Sequence, residues 1–176
     1  DGKNLIYTGD GDDQVVVGTT QLDARDTVVI NGRGDKVITG TGALGSFYGH
    51  HLVFENDSAV TVNLATGIAT ADGMTLDFSS ALFFLELGGT SFGDHLIGGN
   101  PRHDYLEWFV GNQGDDTIDG GSGEADTVNY EEEVERGSYS HALGRIERGT
   151  QGVVVDLAAG TATDSFGDTD TLINID

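Results

Sequence analysis

The stretch Gly111 to Tyr130, GNQGDDTIDGGSGEADTVNY, constrains this chain more than any other. It reads as two short turns in tandem. Each has glycines, then an Asp, then any residue, then one aliphatic. The first holds Gly111, Gln113, Gly114 and Asp116 and closes on Ile118. The second holds Gly120, Ser122, Gly123 and Asp126 and closes on Val128. Glycines tolerate positive φ, so a tight turn can aim several carbonyl oxygens at one point. The Asp adds a carboxylate. Hard oxygen ligands on flexible loops suit Ca2+. The lone aliphatic is expected to face inward from a three-residue strand. A single such turn is also compatible with a metal-free surface loop; tandem turns with further copies upstream favour the metal.

Those copies are present. Gly9, Gly11 and Asp13 form a strong turn with Val15 inward. Gly32, Gly34 and Asp35 form another, with Val37 in the aliphatic place. Asp26-Thr27-Val28 keeps the Asp-x-aliphatic tail without its glycines. Asp170, near the end, joins the ligand candidates. Val60 to Thr70 alternates apolar and polar residues and reads as strand, turn at Thr66-Gly67, strand. Leu76 to Leu87 reads as a further, notably apolar strand region.

The second half replays the first. Gly2 to Ile6 matches Gly93 to Ile97, and Asp13, Asp26 and Asp35 match Asp104, Asp116 and Asp126, at offsets of 90 or 91 residues. Tyr48, His50 and Leu52 match Tyr139, His141 and Leu143 at 91, and Val62 to Ala65 matches Val155 to Ala158 at 93. The chain therefore reads as two units, 1–91 with an irregular insertion at about 39–58, and 92–176, truncated, with one at about 130–150. The pairing makes Asp94 and Asp104 ligand candidates too, whereas Lys3 stands where the second unit has Asp94. If turns alternate sides, Asp94 and Asp116 share one edge, and Asp104 and Asp126 the other. Short repeated turns argue for a solenoid, each coil burying its face on its neighbours.

Charge sharpens the reading. Thirty acidic residues against eight basic give −22, with 28 Gly and one Pro. This charge argues against nucleic acid as a partner, since binding it demands basic patches. A cation is the natural partner, because self-repulsion otherwise opposes compaction. About five or six calcium ions would offset half the charge. No Cys is present, so no disulfide staples the fold. No apolar run approaches the roughly 18 residues of a membrane span. The chain carries no signal peptide and reads as a segment of a longer protein.

On the motifs GDGDDQVVV, GRGDKVI, GNQGDDTID and GGSGEADTVN, the chain resembles the RTX family, the hemolysin-type calcium-binding repeats. The stretches VTVNLATGIAT and VVVDLAAGTAT also look like segments recurring between such repeats. The resemblance covers most of the chain outside 39–58 and 130–150. It implies an all-β fold, a right-handed parallel β-roll or β-solenoid with several Ca2+ ions between successive turns. It also implies type I secretion from a Gram-negative bacterium, with folding on meeting external calcium. The family includes toxins, proteases, lipases, epimerases and adhesins, so it implies no single activity.

The expected function is a calcium-binding structural module without catalytic residues; any catalytic domain would lie elsewhere in the parent. The alternative is a module recognising a polysaccharide or cell surface, using Phe83, Phe84, Tyr105, Trp108 and Phe109, or the basic cluster Arg136, Arg145 and Arg148. His50 and His51 near Glu55 suit a transition metal or acid/base work. A repeated packing element is the preferred reading there, since no third ligand is evident. Glu131 to Arg136 reads as a helical turn or an exposed acidic loop, with the loop preferred.

Overall fold

A computed structural model describes residues 4–18, 26–40, 50–81, 84–99, 107–122, 125–135, 137–140 and 144–175. Asp104, Gly123, Tyr48, Tyr105, Phe83, Arg136 and His141 lie outside the described residues. The first thirteen strands are β1 (Leu5–Tyr7), β2 (Asp13–Val17), β3 (Thr27–Ile30), β4 (Gly34–Gly40), β5 (His50–Phe54), β6 (Thr61–Asn63), β7 (Ile68–Ala71), β8 (Met74–Asp77), β9 (Phe84–Gly88), β10 (His95–Ile97), β11 (Trp108–Val110), β12 (Thr117–Asp119) and β13 (Thr127–Val128). A helical turn, α1 (Glu131–Glu135), follows. Then come β14 (Ser138–Ser140), β15 (Arg145–Glu147), β16 (Val154–Asp156), β17 (Thr161–Thr163) and β18 (Thr169–Ile173). The described chain is nearly all β, and no barrel closes among these residues.

The chain visits two large sheets in turn. One has the order β1-β3-β5-β9-β11-β13 and is parallel throughout. The other has the order β2-β4-β8-β7-β6-β10-β12-β18-β17-β16 and is mixed. Its parallel pairs are β2/β4, β4/β8, β6/β10, β10/β12 and β12/β18. The meanders β6-β7-β8 and β16-β17-β18 are antiparallel. Both meanders turn on a glycine in the left-handed region, Gly67 at φ 72° and Gly160 at φ 68°, where a Cβ would be strained. The strand-turn-strand reading of Val60 to Thr70 matches β6 and β7.

Inward residues of both sheets form one apolar cluster. Val28, Leu52, Phe54, Phe84, Leu87 and Phe109 enter it from the parallel sheet. Val17, Ile38, Val62, Leu76, Leu96, Ile118 and Leu172 enter from the mixed one. Of the aliphatics expected inward, Val28, Leu96 and Ile118 are fully buried, and Val15 and Val128 pack against the cluster. Val37 departs from expectation. It is 38% exposed, while Lys36 and Ile38 turn inward at 2% and 1%. The physical reason is that the Lys36 ammonium finds oxygen partners at the sheet edge, which fixes the pleat of β4 in that phase.

Two further features differ from the sequence reading. The span 39–58 holds a regular strand, β5, with His50, Leu52 and Phe54 buried in alternation. Glu131 to Glu135 is helical rather than an exposed loop, and it buries Glu133 completely. The sequence match between halves also crosses sheets. The β1 and β3 segments lie in the parallel sheet, but their matches β10 and β12 lie in the mixed one. The extra strand β9 shifts the alternation by one visit. The match of β5 begins at His141, outside the described residues; β14 and β15 beside it form a separate hairpin, and β16 returns to the mixed sheet like its match β6.

The core predicts a clear contrast in stability. Leu96→Ala, at a fully buried site, is expected to cost about 2–5 kcal/mol. Val16→Ala, 67% exposed, is expected to stay within about 0.5 kcal/mol. Denaturant unfolding of both variants measures the difference.

Candidate metal centre

Where strands of successive visits stack, so do the turns that precede them. The Gly114 turn sits on the Gly93 turn so closely that a Cβ at Gly114 would lie 2.5 Å from the Phe92 carbonyl carbon, and its φ of 111° excludes other residues. Stacked turns place one Asp above another. The Asp94 backbone N–H donates to Asp116 Oδ1 at 2.7 Å, and the Asp116 N–H donates to Asp170 Oδ1 at 3.0 Å. The three therefore form a ladder along one edge of the mixed sheet, in step with the pairs His95–Thr117 and Thr117–Thr171.

All three carboxyls are buried, at 3%, 1% and 0% exposure. Asp94 accepts from the N–H groups of Val60 at 2.7 Å and Thr90 at 2.5 Å, and from the Thr90 hydroxyl. Asp170 Oδ2 accepts the Tyr130 hydroxyl at 2.9 Å. Asp116 Oδ2 is buried with no hydrogen-bond partner. It lies against Gly111, where a Cβ would collide with it, and Asp94 Oδ2 lies likewise against Gly89. The Gly111 carbonyl oxygen borders the same Gly89 position, at 2.8 Å from an ideal Cβ. Glycine at 89 and 111 thus leaves room in which carboxylate and carbonyl oxygens converge.

Two acidic groups that sequence reasoning missed extend the cluster. Glu133 and Asp164 are fully buried. Glu133 accepts from the Ser165 hydroxyl at 2.7 Å, and Asp164 caps the N–H groups of Phe166, Gly167 and Asp168. Glu133 Oε1 and Asp164 Oδ2 have no partner. The signal for Glu133 was its place in a short acidic run. Asp164 had none beyond the Gly/Asp richness around it.

Among the described residues, no Lys, Arg or His forms an ion pair with Asp94, Asp116, Glu133, Asp164 or Asp170. Burial therefore acts unopposed by a cation. It pushes Asp116 up to about 10, helped by the charges of Asp94, Asp170 and Glu133. It pushes Glu133 to about 7, and Asp94 and Asp170 to about 6. Asp164 is raised as well, and burial with the nearby Asp170 raises the Tyr130 phenol. Among the described residues no group of three or more His, Asp or Glu side chains is set to hold a metal by itself. Backbone carbonyls would have to complete any shell, which is the donor mixture calcium accepts. Orphaned buried oxygens beside glycine cradles fit such an ion.

The remaining predicted ligands are dispersed. Asp126 is 4% exposed and lies at the opposite edge with Gly120, next to the Asn174 carbonyl. Glu107, also unforeseen, accepts the Gly99 N–H there at 2.8 Å. Ser122 is exposed. Gln113 donates to Glu147 at 3.2 Å, and the Gly114 N–H donates to Asp168 at 2.9 Å. In the first half, Asp26 accepts the backbone and side-chain N–H groups of Asn4. Gly32 accepts the Asn56 amide, and Gly34 donates to the Gly73 carbonyl. Asp35 is exposed, and its N–H donates to Asp12. Gly9, Gly11 and Asp13 gather around the Lys36 ammonium.

The histidines face protein groups. His50 Nδ1 accepts the Asp26 N–H at 3.1 Å, and Nε2 sits 3.2 Å from the Gly18 carbonyl. His51 Nδ1 lies 3.2 Å from Glu86. No helix among the described residues is long and apolar enough to cross a membrane.

The raised carboxyls set a pH dependence. An acid whose folded value lies above its unfolded value of about 4 binds more protons when folded, so stability falls as pH rises between the two. With divalent ions removed, the melting temperature is expected to fall from pH 4 to pH 7, and further toward pH 10 as Asp116 ionises. Calcium should flatten the decline, because a bound cation favours the ionised forms. Scanning calorimetry with chelator and with calcium across this range checks both.

No protein-family model, no curated protein and no solved structure matches this chain.

Proposed function

We propose that this chain is a calcium-binding structural module of a secreted RTX-like protein, with its two sheets wound as a right-handed β-roll. The observation that carries the proposal is the Asp94–Asp116–Asp170 ladder, with Asp116 Oδ2 buried and partnerless beside Gly111. A stack of buried carboxyls without a cation is costly. Asp94, Asp116 and the Gly111 carbonyl would hold one ion, and Asp170 with Glu133 and Asp164 would favour another nearby. When bound, calcium supplies the missing positive charge and cross-links successive turns. The protein's own part is to align the oxygens through the strand pairing and to keep the glycine space open.

The alternation of strands between two sheets, with order along each following the chain outside the meanders, supports the roll. Binding to the folded form alone couples metal to folding. In this reading the chain stays loosely structured where calcium is scarce, as inside a cell, and folds after export through a type I route. The module itself is not an enzyme. Surface recognition is the weaker reading, since Phe84 and Phe109 are fully buried in the core and offer no ring to a sugar.

Far-UV circular dichroism with chelator and with millimolar calcium tests the coupling. Chelator should remove much of the β signal, and identical spectra and melting would contradict it. Asp116→Ala should weaken calcium affinity by about tenfold or more, roughly 1.4 kcal/mol. Asp115→Ala should change it less than about twofold, because among the described residues the exposed Asp115 side chain accepts just the Thr169 N–H. Calorimetric titration of both variants measures this; equal losses would remove Asp116 from the ligand set.

A further inference from the structure

Lys36 is buried to 2% exposure, an unusual place for an ammonium. Its Nζ lies 2.7 Å from the Gly9 carbonyl oxygen, 3.1 Å from that of Gly11, 3.0 Å from Asp13 Oδ2 and 3.3 Å from the Arg33 carbonyl oxygen. Three carbonyls and one carboxylate, from two stacked turns, surround one positive charge. This donor set is the one a hard divalent cation takes. We propose that the Lys36 ammonium is a tethered counter-ion filling a cation site built by the Gly9–Asp13 turn and Arg33, and that removing the ammonium opens this site to one divalent cation.

The geometry supports exchange of ammonium for metal. Lys36 projects from β4 directly opposite Asp13 in the parallel register, so the charge is delivered across the two turns and not along one. Those turns are locked by the Gly11 N–H to Arg33 carbonyl bond at 2.8 Å and by the Arg33 N–H to Asp10 bond at 3.0 Å. A Cβ at Gly34 would lie 2.5 Å from the Gly11 carbonyl oxygen. The cage is therefore built by backbone stacking, and the side chain that enters it is separable from it. Calcium–oxygen bonds are shorter than these contacts, about 2.3–2.6 Å, so the cage need contract only by roughly half an ångström. At the matching place in the second half stands Thr127, 91 residues on, which carries no charge. The inference stands on the contacts of Lys36 and does not require calcium elsewhere.

The test is to count calcium ions bound per chain, by equilibrium dialysis, for the wild type and for Lys36→Met. The variant is expected to bind one ion more than the wild type, and calcium should raise its melting temperature by more. Equal ion counts would overturn the proposal. A wild type that binds none beside a variant that binds one would uphold Lys36 as the counter-ion and overturn the calcium reading of the second half. Should the variant fail to fold, amine acylation of the wild type in calcium decides. Lys36 is expected to react about a hundredfold more slowly than in denaturant. Reaction at the denatured rate would mean that the ammonium is not held in the cage.

Discussion

Everything in this structure depends on turns that stack with their oxygens facing each other. Parallel pairing of β10, β12 and β18 brings Asp94, Asp116 and Asp170 into line. The Asp94 and Asp116 backbone N–H groups then meet the carboxylate of the next turn. The arrangement satisfies backbone donors that would otherwise be stranded at the strand ends. It also concentrates negative charge where water is excluded. A narrow apolar core cannot compensate that by itself, so the charge has to be neutralised, by protons or by a cation.

The two ends of the chain differ in how this is met. Around Gly9, Gly11 and Asp13 the charge is covalently attached, as the Lys36 ammonium. Around Asp94, Asp116 and Asp170 no described cationic side chain is paired, and three nearby buried oxygens lack partners. Raised carboxyl values there express the same deficit in terms of protons. Protonation and a bound cation are alternative remedies, so the proposed calcium binding would be linked to acidity through this one cluster.

Much of this was legible in the residues. Glycines followed by an Asp, a spacer and an aliphatic pointed to Asp116, the match between halves pointed to Asp94, and alternation predicted that the two share an edge, as they do. The periodicity of Val60 to Thr70 placed the β6-β7 turn. Other parts were not legible, for physical reasons. Val37 was read inward because aliphatics usually are; only the stacked turns reveal that Lys36 has four oxygen partners and so takes the inward position. Glu133 looked like one solvated charge in an acidic run. Its burial depends on Ser165, 32 residues away, which no local pattern reports. The exchange of sheets between matching halves arises from β9, whose effect is on the count of visits and leaves no mark on the repeated motifs.

The central claim is that cations, one tethered and others bound, neutralise the stacked oxygens. Diffraction from crystals grown in calcium, recorded where calcium scatters anomalously, tests it most directly. The account predicts an anomalous peak among the oxygens of Asp94, Gly111 and Asp116, and none within the Gly9–Asp13 cage, where the Lys36 ammonium should appear instead. Calcium in that cage, or no peak along the ladder in a folded chain, would contradict it.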